Sequence, residues 1–343
     1  MIKEMIGKIV EGVDLSFEES KAVMEEIMEG KATEAQIASF ITALRMKGET
    51  VDEITGCVSV MREKATHINV GKSLVVDTCG TGGDAKCTFN ISTCAAFVVA
   101  GAGLKVAKHG NKASSSKCGS ADVLKLLGVN IDANTKIVEE CIQKANIGFL
   151  MAPLLHSSMK HAVGPRREIG IKTIFNILGP LTNPARATRQ VIGVYDAKLT
   201  DIVAKVLKKL NTEHAFVVYG YDGMDEITTT DKTKVCELKD GEIKSYFITH
   251  DSFGIKKAEM KDFMVNSPEE SASAITAVLD RAIGPKRDIV LLNAYAAIVT
   301  GGGVGNLRDG VRIAAESIDS GRAKASLGKL IELTQNIGDA SKN

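Results

Sequence analysis

Apolar residues recur at helical spacing through the first 68 residues of the chain, and three segments there share one signature. A hydroxyl residue precedes a carboxyl or amide residue by three positions in Ser16-Phe17-Glu18-Glu19, Thr33-Glu34-Ala35-Gln36 and Thr50-Val51-Asp52-Glu53. This spacing is typical of the capping box, in which both side chains satisfy free backbone N–H groups at a helix start. Gly30 and Gly48 follow the first two periodic runs, where a helix end favours a left-handed residue. The pattern predicts about four helices.

From Leu74 onwards, short apolar runs alternate with helical patterns. Runs that fit strands occupy residues 74–76, 104–107, 147–151, 191–195 and 214–219, and helices are predicted near 92–102 and 120–127. Strands that alternate with helices favour parallel pairing with right-handed crossovers. Two more strands near 234–248 flank Asp240-Gly241, which is typical of a hairpin turn. The end of the chain is again helical, and Ser267-Pro268-Glu269-Glu270 predicts a capping box with Pro at the first helical position.

Residues 156–186 interrupt this alternation with helical patterns broken by glycine and proline. We expect the segment to fold back on the N-terminal helices. The predicted fold is then α/β with a small α-helical domain. Its domains are residues 1–70 plus about 156–186, and residues 71–155 plus 187–343.

Composition narrows the possible functions. The formal net charge is +1, from 43 basic and 42 acidic residues, and Trp is absent. A basic excess and stacking aromatics, which nucleic-acid binders use, are therefore missing. Seven cysteines without a C-x-x-C pair favour reduced thiols in a cytoplasmic protein. The first residues, MIKEMIGKIVEG, do not fit a signal peptide, and no apolar run is long enough to span a membrane.

The clearest chemical motif is Asp77-Thr78-Cys79-Gly80-Thr81-Gly82-Gly83-Asp84, directly after a predicted strand. Its glycines let backbone N–H groups approach an anion. The following Thr88-Phe89-Asn90-Ile91-Ser92-Thr93 opens a helix, and a helix start favours phosphate through its free N–H groups and its dipole. The motif matches neither a dinucleotide fingerprint nor a Walker A loop. The alternative is a plain glycine turn followed by a helix cap.

A second polar cluster, residues 108–122, also lies between a predicted strand and a helix, and it contains three lysines and four serines. In an α/β sheet, two such loops at the carboxyl ends of adjacent strands converge on one crevice. Together they suit a ligand with two separate phosphate groups. The alternative is a flexible loop in solvent.

Two further groups of charged residues are candidates for binding. Asp225-Glu226 follow a predicted strand, and adjacent carboxylates are suitable ligands for Mg²⁺. Taken alone, they fit an acidic turn in solvent better. Arg166-Arg167 follow Gly164-Pro165, and arginine pairs bidentately with a carboxylate. Their alternative is ordinary surface charge.

Taken in order, these segments resemble the anthranilate phosphoribosyltransferase family over nearly the whole chain. The matching text is Gly80-Thr81-Gly82-Gly83-Asp84, Thr88-Phe89-Asn90-Ile91-Ser92-Thr93, Lys108-His109-Gly110-Asn111, Ser120-Ala121-Asp122-Val123-Leu124, Met151-Ala152-Pro153, His161-Ala162-Val163-Gly164-Pro165-Arg166-Arg167, Phe175-Asn176-Ile177-Leu178-Gly179-Pro180-Leu181-Thr182-Asn183-Pro184 and Asp225-Glu226. The resemblance implies a nucleoside phosphorylase/phosphoribosyltransferase-like fold (class III phosphoribosyltransferase). It also implies an active site in the hinge cleft and a homodimer joined through the helical domains.

The implied reaction converts phosphoribosyl pyrophosphate and anthranilate to phosphoribosyl anthranilate and pyrophosphate, in tryptophan biosynthesis. By position, the resemblance assigns the phosphoribosyl pyrophosphate site to Gly80, Gly83, Asp84, Thr88, Asn90, Ile91, Ser92, Thr93, Lys108, His109, Gly110, Asn111, Lys112, Ala113, Ser114, Ser115, Ser116 and Ser120. The stretch Lys108–Ser116 is expected to close over it as a loop. Gly80, Asn111 and Arg166 are assigned to anthranilate, and Ser92, Asp225 and Glu226 to two Mg²⁺ ions. His109 is the candidate for orienting the amine or taking its proton.

The chain departs from the family pattern at a few positions. Lys112-Ala113 replace the usual Arg-Ser, Cys118 replaces Ser, and Ala85-Lys86-Cys87 fill the first loop unusually. Two rival functions stay open. A pyrimidine nucleoside phosphorylase would use free phosphate without the magnesium pair, and a non-catalytic nucleic-acid-binding relative would show a basic surplus and a damaged first loop.

Overall fold

The computed structural model describes residues 1–82, 86–112, 118–304 and 307–336, with the backbone alone at 307–308. Four helices open the chain: α1 (Ile2–Val10), α2 (Phe17–Met28), α3 (Glu34–Lys47) and α4 (Val51–Lys64). The capping boxes predicted at Ser16, Thr33 and Thr50 are all formed. Gly30 and Gly48 adopt φ values of 70° and 93°, so both helix ends use the glycine that the sequence places there.

Seven strands form one twisted sheet in the order β3-β2-β1-β4-β5-β6-β7. Their bounds are β1 (Val75–Gly80), β2 (Lys105–Gly110), β3 (Ile147–Met151), β4 (Arg189–Gly193), β5 (His214–Gly220), β6 (Thr233–Lys239) and β7 (Glu242–Ile248). The first five strands are parallel, and the last two pair antiparallel around Asp240-Gly241, as predicted. The strand order reverses between β1 and β4, which is where parallel α/β sheets form ligand crevices.

Two strands continue further than the sequence pattern indicates. β1 extends to Gly80 and β2 to Gly110, although the predicted runs end at Val76 and Ala107. Lys108 and His109 therefore lie in a buried strand, and the prediction that a loop begins at Lys108 is wrong. Hydrogen bonds of the neighbouring strands hold these polar residues in the sheet, and local polarity does not reveal such partners.

Further helices follow along the chain. They are α5 (Ile91–Gly101), α6 (Ser120–Leu126), α7 (Thr135–Lys144), α8 (Ala152–Leu155), α9 (Lys160–Ile169), α10 (Ile174–Leu181), α11 (Leu199–Lys209), α12 (Pro268–Leu279), α13 (Pro285–Thr300), α14 (Leu307–Asp319) and α15 (Arg322–Gln335). Several of them, including α5, α11 and α13, pack on the sheet. At the start of α12, Ser267 accepts from Glu270 N–H as predicted. The Glu270 carboxylate, however, accepts from the N–H of Asn266, one residue before the cap.

Alternate residues of the strands pack into two hydrophobic cores, one on each face of the sheet. Phe216 and Val218 of β5 pack with α5 and the C-terminal helices on one face. Ala215 and Val217 point to the other face, where α4, α10 and α11 pack. This second core also contains α1–α3, so it is continuous from the N-terminal helices to the sheet. No helix in the described part of the chain combines the length and apolar character that a membrane span requires.

The segment that interrupts the alternation packs as a pair of helices against the N-terminal bundle. α9 contacts α2 and α3, and α10 contacts α3 and α4. Phe175 and Leu178 are buried in the core that these helices share. The division of the chain into two domains at residues 70, 156 and 186 stays a prediction.

Candidate active site

One cleft of about 310 Å³ lies at the carboxyl ends of β1 and β2, a volume typical of small-molecule sites (roughly 300–1,000 Å³). It is lined by every described residue that the sequence assigned to a site: Gly80, Thr88, Asn90, Ile91, Ser92, Thr93, Lys108, His109, Gly110, Asn111, Lys112, Ser120, Arg166, Asp225 and Glu226. The other assigned residues, Gly83, Asp84, Ala113, Ser114, Ser115 and Ser116, lie outside the described residues.

The residues that follow β1 form hydrogen bonds with the end of β4 and with the segment after β5. Thr81 N–H donates to the carbonyl of Gly193 at 2.9 Å, and Gly82 N–H donates to Asp225 Oδ2 at 2.9 Å. A Cβ on Gly80 would lie 2.5 Å from the same carboxylate oxygen. Glycine at position 80 therefore allows the Asp225 side chain to lie against the start of the first loop.

Two buried residues fix the acidic pair from both sides. Met224 and Ile227 are almost fully buried, and they flank the half-buried Asp225 and Glu226. Asn293 accepts from Ile227 N–H at 3.0 Å and donates to the Ile227 carbonyl at 2.9 Å. The pair is therefore held at the cleft, and the alternative of an acidic turn in open solvent does not describe it.

The N-terminus of α5 faces the same cleft. Ser92 N–H donates to Glu226 Oε1 at 3.2 Å, which brings the helix start beside the acidic pair. Asn90 occupies the N-cap position, but its side chain makes no capping hydrogen bond to the helix. An Asn at this position ordinarily accepts from the second or third N–H of the helix. At this helix start the Glu226 carboxylate replaces the Asn90 side chain as the acceptor for the second helical N–H.

Lys108 contributes a buried cation at the end of β2. Its Nζ donates to the Thr78 carbonyl at 2.6 Å and lies 3.5 Å from Ser92 Oγ. Burial lowers the pKa of Lys108, and the nearby Asp77 carboxylate opposes that shift. Burial also raises the pKa of Asp77, which accepts from His109 N–H at 3.2 Å.

His109 is buried beside a second histidine that the sequence did not single out. The ring centroids of His109 and His156 are 5.1 Å apart. Burial is the main cause that lowers the pKa of His109 to about 3 and that of His156 to about 4. Both rings are therefore neutral near pH 7. Such a weak base favours the orienting role for His109 over proton acceptance.

The second loop begins with two exposed residues, Asn111 and Lys112. Ser120 Oγ, at the start of α6, donates to the Asn111 carbonyl at 3.3 Å and so connects the two ends of the loop. A Cβ on Gly110 would lie 2.3 Å from Ser120 Oγ. Glycine at position 110 therefore lets strand β2 end directly against α6.

Arg166 lies on α9 with its guanidinium 4.9 Å from the ring centre of Phe175. The residue is half-buried, and burial lowers its pKa. Within the described residues, Arg166 forms no ion pair. A partly desolvated cation without an internal carboxylate suits an external anion that also offers a flat face.

The sequence analysis assigned no role to several other residues that line the cleft. They are Ala152, Phe175, Asn176, Gly179, Pro180 and Val265. Most of them stand in the quoted family text, which was the available signal. Val265 lies outside it, and the strand-like contact of Thr88 with Met264 brings Val265 to the first loop.

The residues at the acidic pair fit a hard cation. Ser92 Oγ and the carboxylates of Asp225 and Glu226 come from two distant segments and supply only oxygen, which Mg²⁺ prefers. Among the described residues, no group of three or more His, Cys, Asp or Glu side chains could hold a metal ion. Substrate oxygens and water are therefore required to complete a magnesium shell here.

Comparison with known proteins agrees with this architecture. The helical bundle domain of a glycosyl transferase family matches residues 3–65, and the a/b domain of a glycosyl transferase family matches residues 72–324. The fold and the phosphate-type cleft therefore define a glycosyl-transferring enzyme, and the predicted fold class is confirmed.

Individual relatives narrow the class. An anthranilate phosphoribosyltransferase of Acetivibrio thermocellus is 53% identical over 337 residues, which cover 98% of each chain. The crystal structure of an anthranilate phosphoribosyltransferase from Thermus thermophilus superposes with a TM-score of 0.90 and 36% identity over 96% of this chain and 99% of that one. The Saccharomyces cerevisiae enzyme in complex with PRPP and Mg has a TM-score of 0.82 and 31% identity, covering 88% and 85% of the two chains. The chain belongs to the anthranilate phosphoribosyltransferase family.

Proposed function

We propose that the cleft transfers the phosphoribosyl group of phosphoribosyl pyrophosphate to the amine of anthranilate. The products are N-(5-phosphoribosyl)anthranilate and pyrophosphate, and the reaction belongs to tryptophan biosynthesis. One observation carries this assignment. Arg166, whose guanidinium lies over the ring of Phe175, and the start of helix α5, which suits a phosphate, line the same cleft. One end suits an aromatic carboxylate, and the other suits a pyrophosphate.

At the aromatic end, the Arg166 guanidinium pairs with the anthranilate carboxylate, and Asn111 and the backbone at Gly80 complete the contact. The face of Phe175 supports the guanidinium at 4.9 Å, so the fork is presented in one plane. The neutral His109 lines the cleft, and its imidazole ring orients anthranilate.

At the phosphate end, the start of α5 offers the diphosphate the favourable end of the helix dipole. The N–H group of Ser92 already donates to Glu226 Oε1, so the dipole is the main contribution of this helix start. Ser92 and Thr93 lie at that start, and Lys108 brings a positive charge to its side. The set is completed by Gly80, Gly83, Asp84, Thr88, Asn90, Ile91, His109, Gly110, Asn111, Lys112, Ala113, Ser114, Ser115, Ser116 and Ser120.

Ser92, Asp225 and Glu226 would hold two Mg²⁺ ions between them and the substrate. Such ions neutralise the charge of the bound diphosphate when present. The complex of PRPP and Mg with the Saccharomyces cerevisiae relative supports the use of magnesium. The support from this chain is the oxygen-only donor set, which carries two negative charges that would repel a bare diphosphate.

In the reaction, the lone pair of the anthranilate amine attacks C1 of the ribose, and the C1–O bond to pyrophosphate breaks. The electron pair of that bond leaves with pyrophosphate, and the proton that the amine loses passes to solvent water. Because the amine is already a nucleophile, the protein's main task is to hold both reactants in line. The helix dipole at the start of α5 and the Lys108 ammonium stabilise the negative charge that develops on the leaving group.

The direct test is the loss of anthranilate fluorescence on addition of phosphoribosyl pyrophosphate and Mg²⁺ to the purified protein. We expect fluorescence to fall with both substrates present and to stay constant when either is left out. A nucleoside phosphorylase would instead use free phosphate to cleave a nucleoside and would release its pyrimidine base. That result, without fluorescence loss, would contradict the proposed function.

We further propose a cytoplasmic homodimer joined through the helical domain of residues 1–70 and 156–186. Val10, Val13 and Met46 of this region are large apolar residues that are exposed in the monomer. The described cysteines form no disulfide, which supports a reducing compartment. Sedimentation equilibrium of the wild type and of Met46→Glu tests the dimer. A monomeric wild type would contradict it.

A further inference from the structure

The carboxamide of Asn90 is held by Ser271 and Cys118, two residues to which the sequence analysis assigned no binding role. Asn90 stands at the N-cap of α5, yet its Oδ1 accepts from Ser271 Oγ at 2.8 Å and from Cys118 Sγ at 3.0 Å. Ser271 is fully buried on α12, and Cys118 precedes α6. Two elements distant in sequence therefore converge on one amide oxygen.

The direction of these hydrogen bonds follows from their donors. Asn90 N–H can only donate, and it donates to Ser271 Oγ at 3.0 Å. The single proton of that hydroxyl is then free to point to Asn90 Oδ1. Burial raises the pKa of Cys118 to about 11, so its sulfur keeps the proton that it donates. Both neighbours thus present donors to the same position, which fixes the oxygen there and the NH₂ group on the other side.

This orientation has two effects on the anion site. The capping oxygen is turned away from α5, so it does not occupy the N–H groups of the helix start. The Asn90 NH₂ group makes only a long contact of 3.5 Å to the Cys118 carbonyl among the described residues, so it can donate to a ligand in the cleft. A flipped amide would present its oxygen to the diphosphate and repel it.

We propose that Ser271 and Cys118 are positioning residues for phosphoribosyl pyrophosphate, which keep the Asn90 carboxamide from capping α5 and aim its NH₂ group into the cleft. This inference rests on the proposed function, because it takes Asn90 to contact that substrate. It also gives a role to the thiol at position 118, where the family pattern usually has the hydroxyl of Ser. Both groups can donate to the amide oxygen, so the exchange conserves the polarity of the site.

The experiment measures KM for each substrate and kcat in a set of variants. Ser271→Ala is expected to raise KM for phosphoribosyl pyrophosphate about 3- to 10-fold, the usual effect of one lost hydrogen bond. KM for anthranilate should stay within about twofold, because the aromatic end is untouched. Cys118→Ala should act in the same direction, and Cys118→Ser should restore the wild-type KM, since a hydroxyl also donates.

A matched control separates positioning from general stability. Ser317 is also fully buried, and its Oγ donates to the Val98 carbonyl at 2.7 Å, further along α5. Ser317→Ala should lower the melting temperature about as much as Ser271→Ala and leave both KM values unchanged. If Ser317→Ala raises KM for phosphoribosyl pyrophosphate equally, the effect comes from the packing of α5 and the proposal is wrong.

A double-mutant cycle with Asn90→Ala completes the test. If Ser271 acts through Asn90, Ser271→Ala should add no further increase of KM once Asn90 is removed. Increases that multiply would overturn the positioning role, and so would an unchanged KM in Ser271→Ala while Asn90→Ala raises it. An unchanged KM in Asn90→Ala would instead contradict the proposed assignment of Asn90 itself, so the two failures are distinguishable.

Discussion

At the scale of single residues, Arg166 offers the sharpest test of the substrate. Arg166→Ala is expected to raise KM for anthranilate about 10- to 150-fold, since a hydrogen bond to a charged group contributes roughly 1.5–3 kcal/mol. KM for phosphoribosyl pyrophosphate should change little. Arg166→Lys keeps the charge but loses the planar fork over Phe175, so it should recover only part of the affinity. Steady-state kinetics followed by anthranilate fluorescence measure both KM values in the two variants. An unchanged anthranilate KM in Arg166→Ala would rule out Arg166 as the residue that binds the anthranilate carboxylate.

The acidic pair makes a second prediction at this scale. Asp225→Asn with Glu226→Gln keeps the size and the acceptor oxygens toward Gly82 and Ser92, but it removes two charges. We expect kcat to fall about 100-fold or more and the Mg²⁺ requirement to rise, because charge at the diphosphate is no longer balanced. The melting temperature should change by only a few degrees. The exposed Asp231→Asn is the control, and wild-type activity of the double variant across a Mg²⁺ titration would show that the pair binds no metal.

At the scale of elements, the ends of β1 and β4 pack against the same short segment. A Cβ at Gly80 would meet the Asp225 carboxylate at 2.5 Å, whereas a Cβ at Gly193 would meet the Asp225 backbone carbonyl at 1.6 Å. The Asp225 side chain can rotate away from a new Cβ. The Asp225 backbone cannot move in the same way, because it lies between the buried Met224 and Ile227.

The two glycines should therefore respond differently to alanine. Gly80→Ala should raise the Mg²⁺ requirement with a small loss of stability. Gly193→Ala should destabilise the protein by about 1–3 kcal/mol or more, as overpacking does, and lose activity with it. Urea unfolding and a Mg²⁺ titration measure both. Gly328→Ala, on α15 with open space around the site, is the matched control. Equal stability of the Gly80 and Gly193 variants would contradict this account.

The sequence predicted most elements because their signals are local. Capping boxes, apolar runs and the Asp240-Gly241 turn each lie within a few residues, and the structure has them where the pattern indicates. Strand ends were predicted less well. Lys108 looks like a loop residue, but the Thr78 carbonyl on the adjacent strand accepts a hydrogen bond from its ammonium group, which holds Lys108 in the sheet.

The site was predictable in its residues and less so in its surroundings. The first loop, the acidic pair and Arg166 carry charges or glycines that a motif can reveal. Ser271 donates a hydrogen bond to Asn90, which lies 181 positions earlier in the chain, and the local pattern around α12 does not predict this contact. His156 likewise became relevant only through the tertiary contact with His109.

At the scale of the whole molecule, buried histidines make stability depend on pH. The pKa values of His109 and His156 are lowered to about 3 and 4, while an unfolded histidine titrates near about 6.5. Between these values the unfolded chain binds protons that the folded chain does not, so stability falls as the pH decreases below about 6.5. Each histidine should contribute a loss of about 1.4 kcal/mol by pH 5.5.

This dependence can be assigned by substitution. His156→Gln should flatten the fall of unfolding free energy between pH 7 and pH 5, measured by urea unfolding. Asp77, whose pKa burial raises, contributes in the opposite direction, so the observed slope is the difference. A slope equal to wild type in His156→Gln would contradict the assignment.

The burial of α5 has a consequence for how the protein is made on the ribosome. Every residue of this helix except Ser92 is buried, and much of its cover comes from α13, α14 and α15, at the other end of the chain. At about 5–20 residues per second, synthesis delays that cover by roughly 10–50 s after α5 emerges. During this interval a nascent chain exposes one of its most apolar helices. The protein should therefore depend on chaperones that shield nascent chains until the last helices are synthesised, although α5 is almost fully covered in the folded protein.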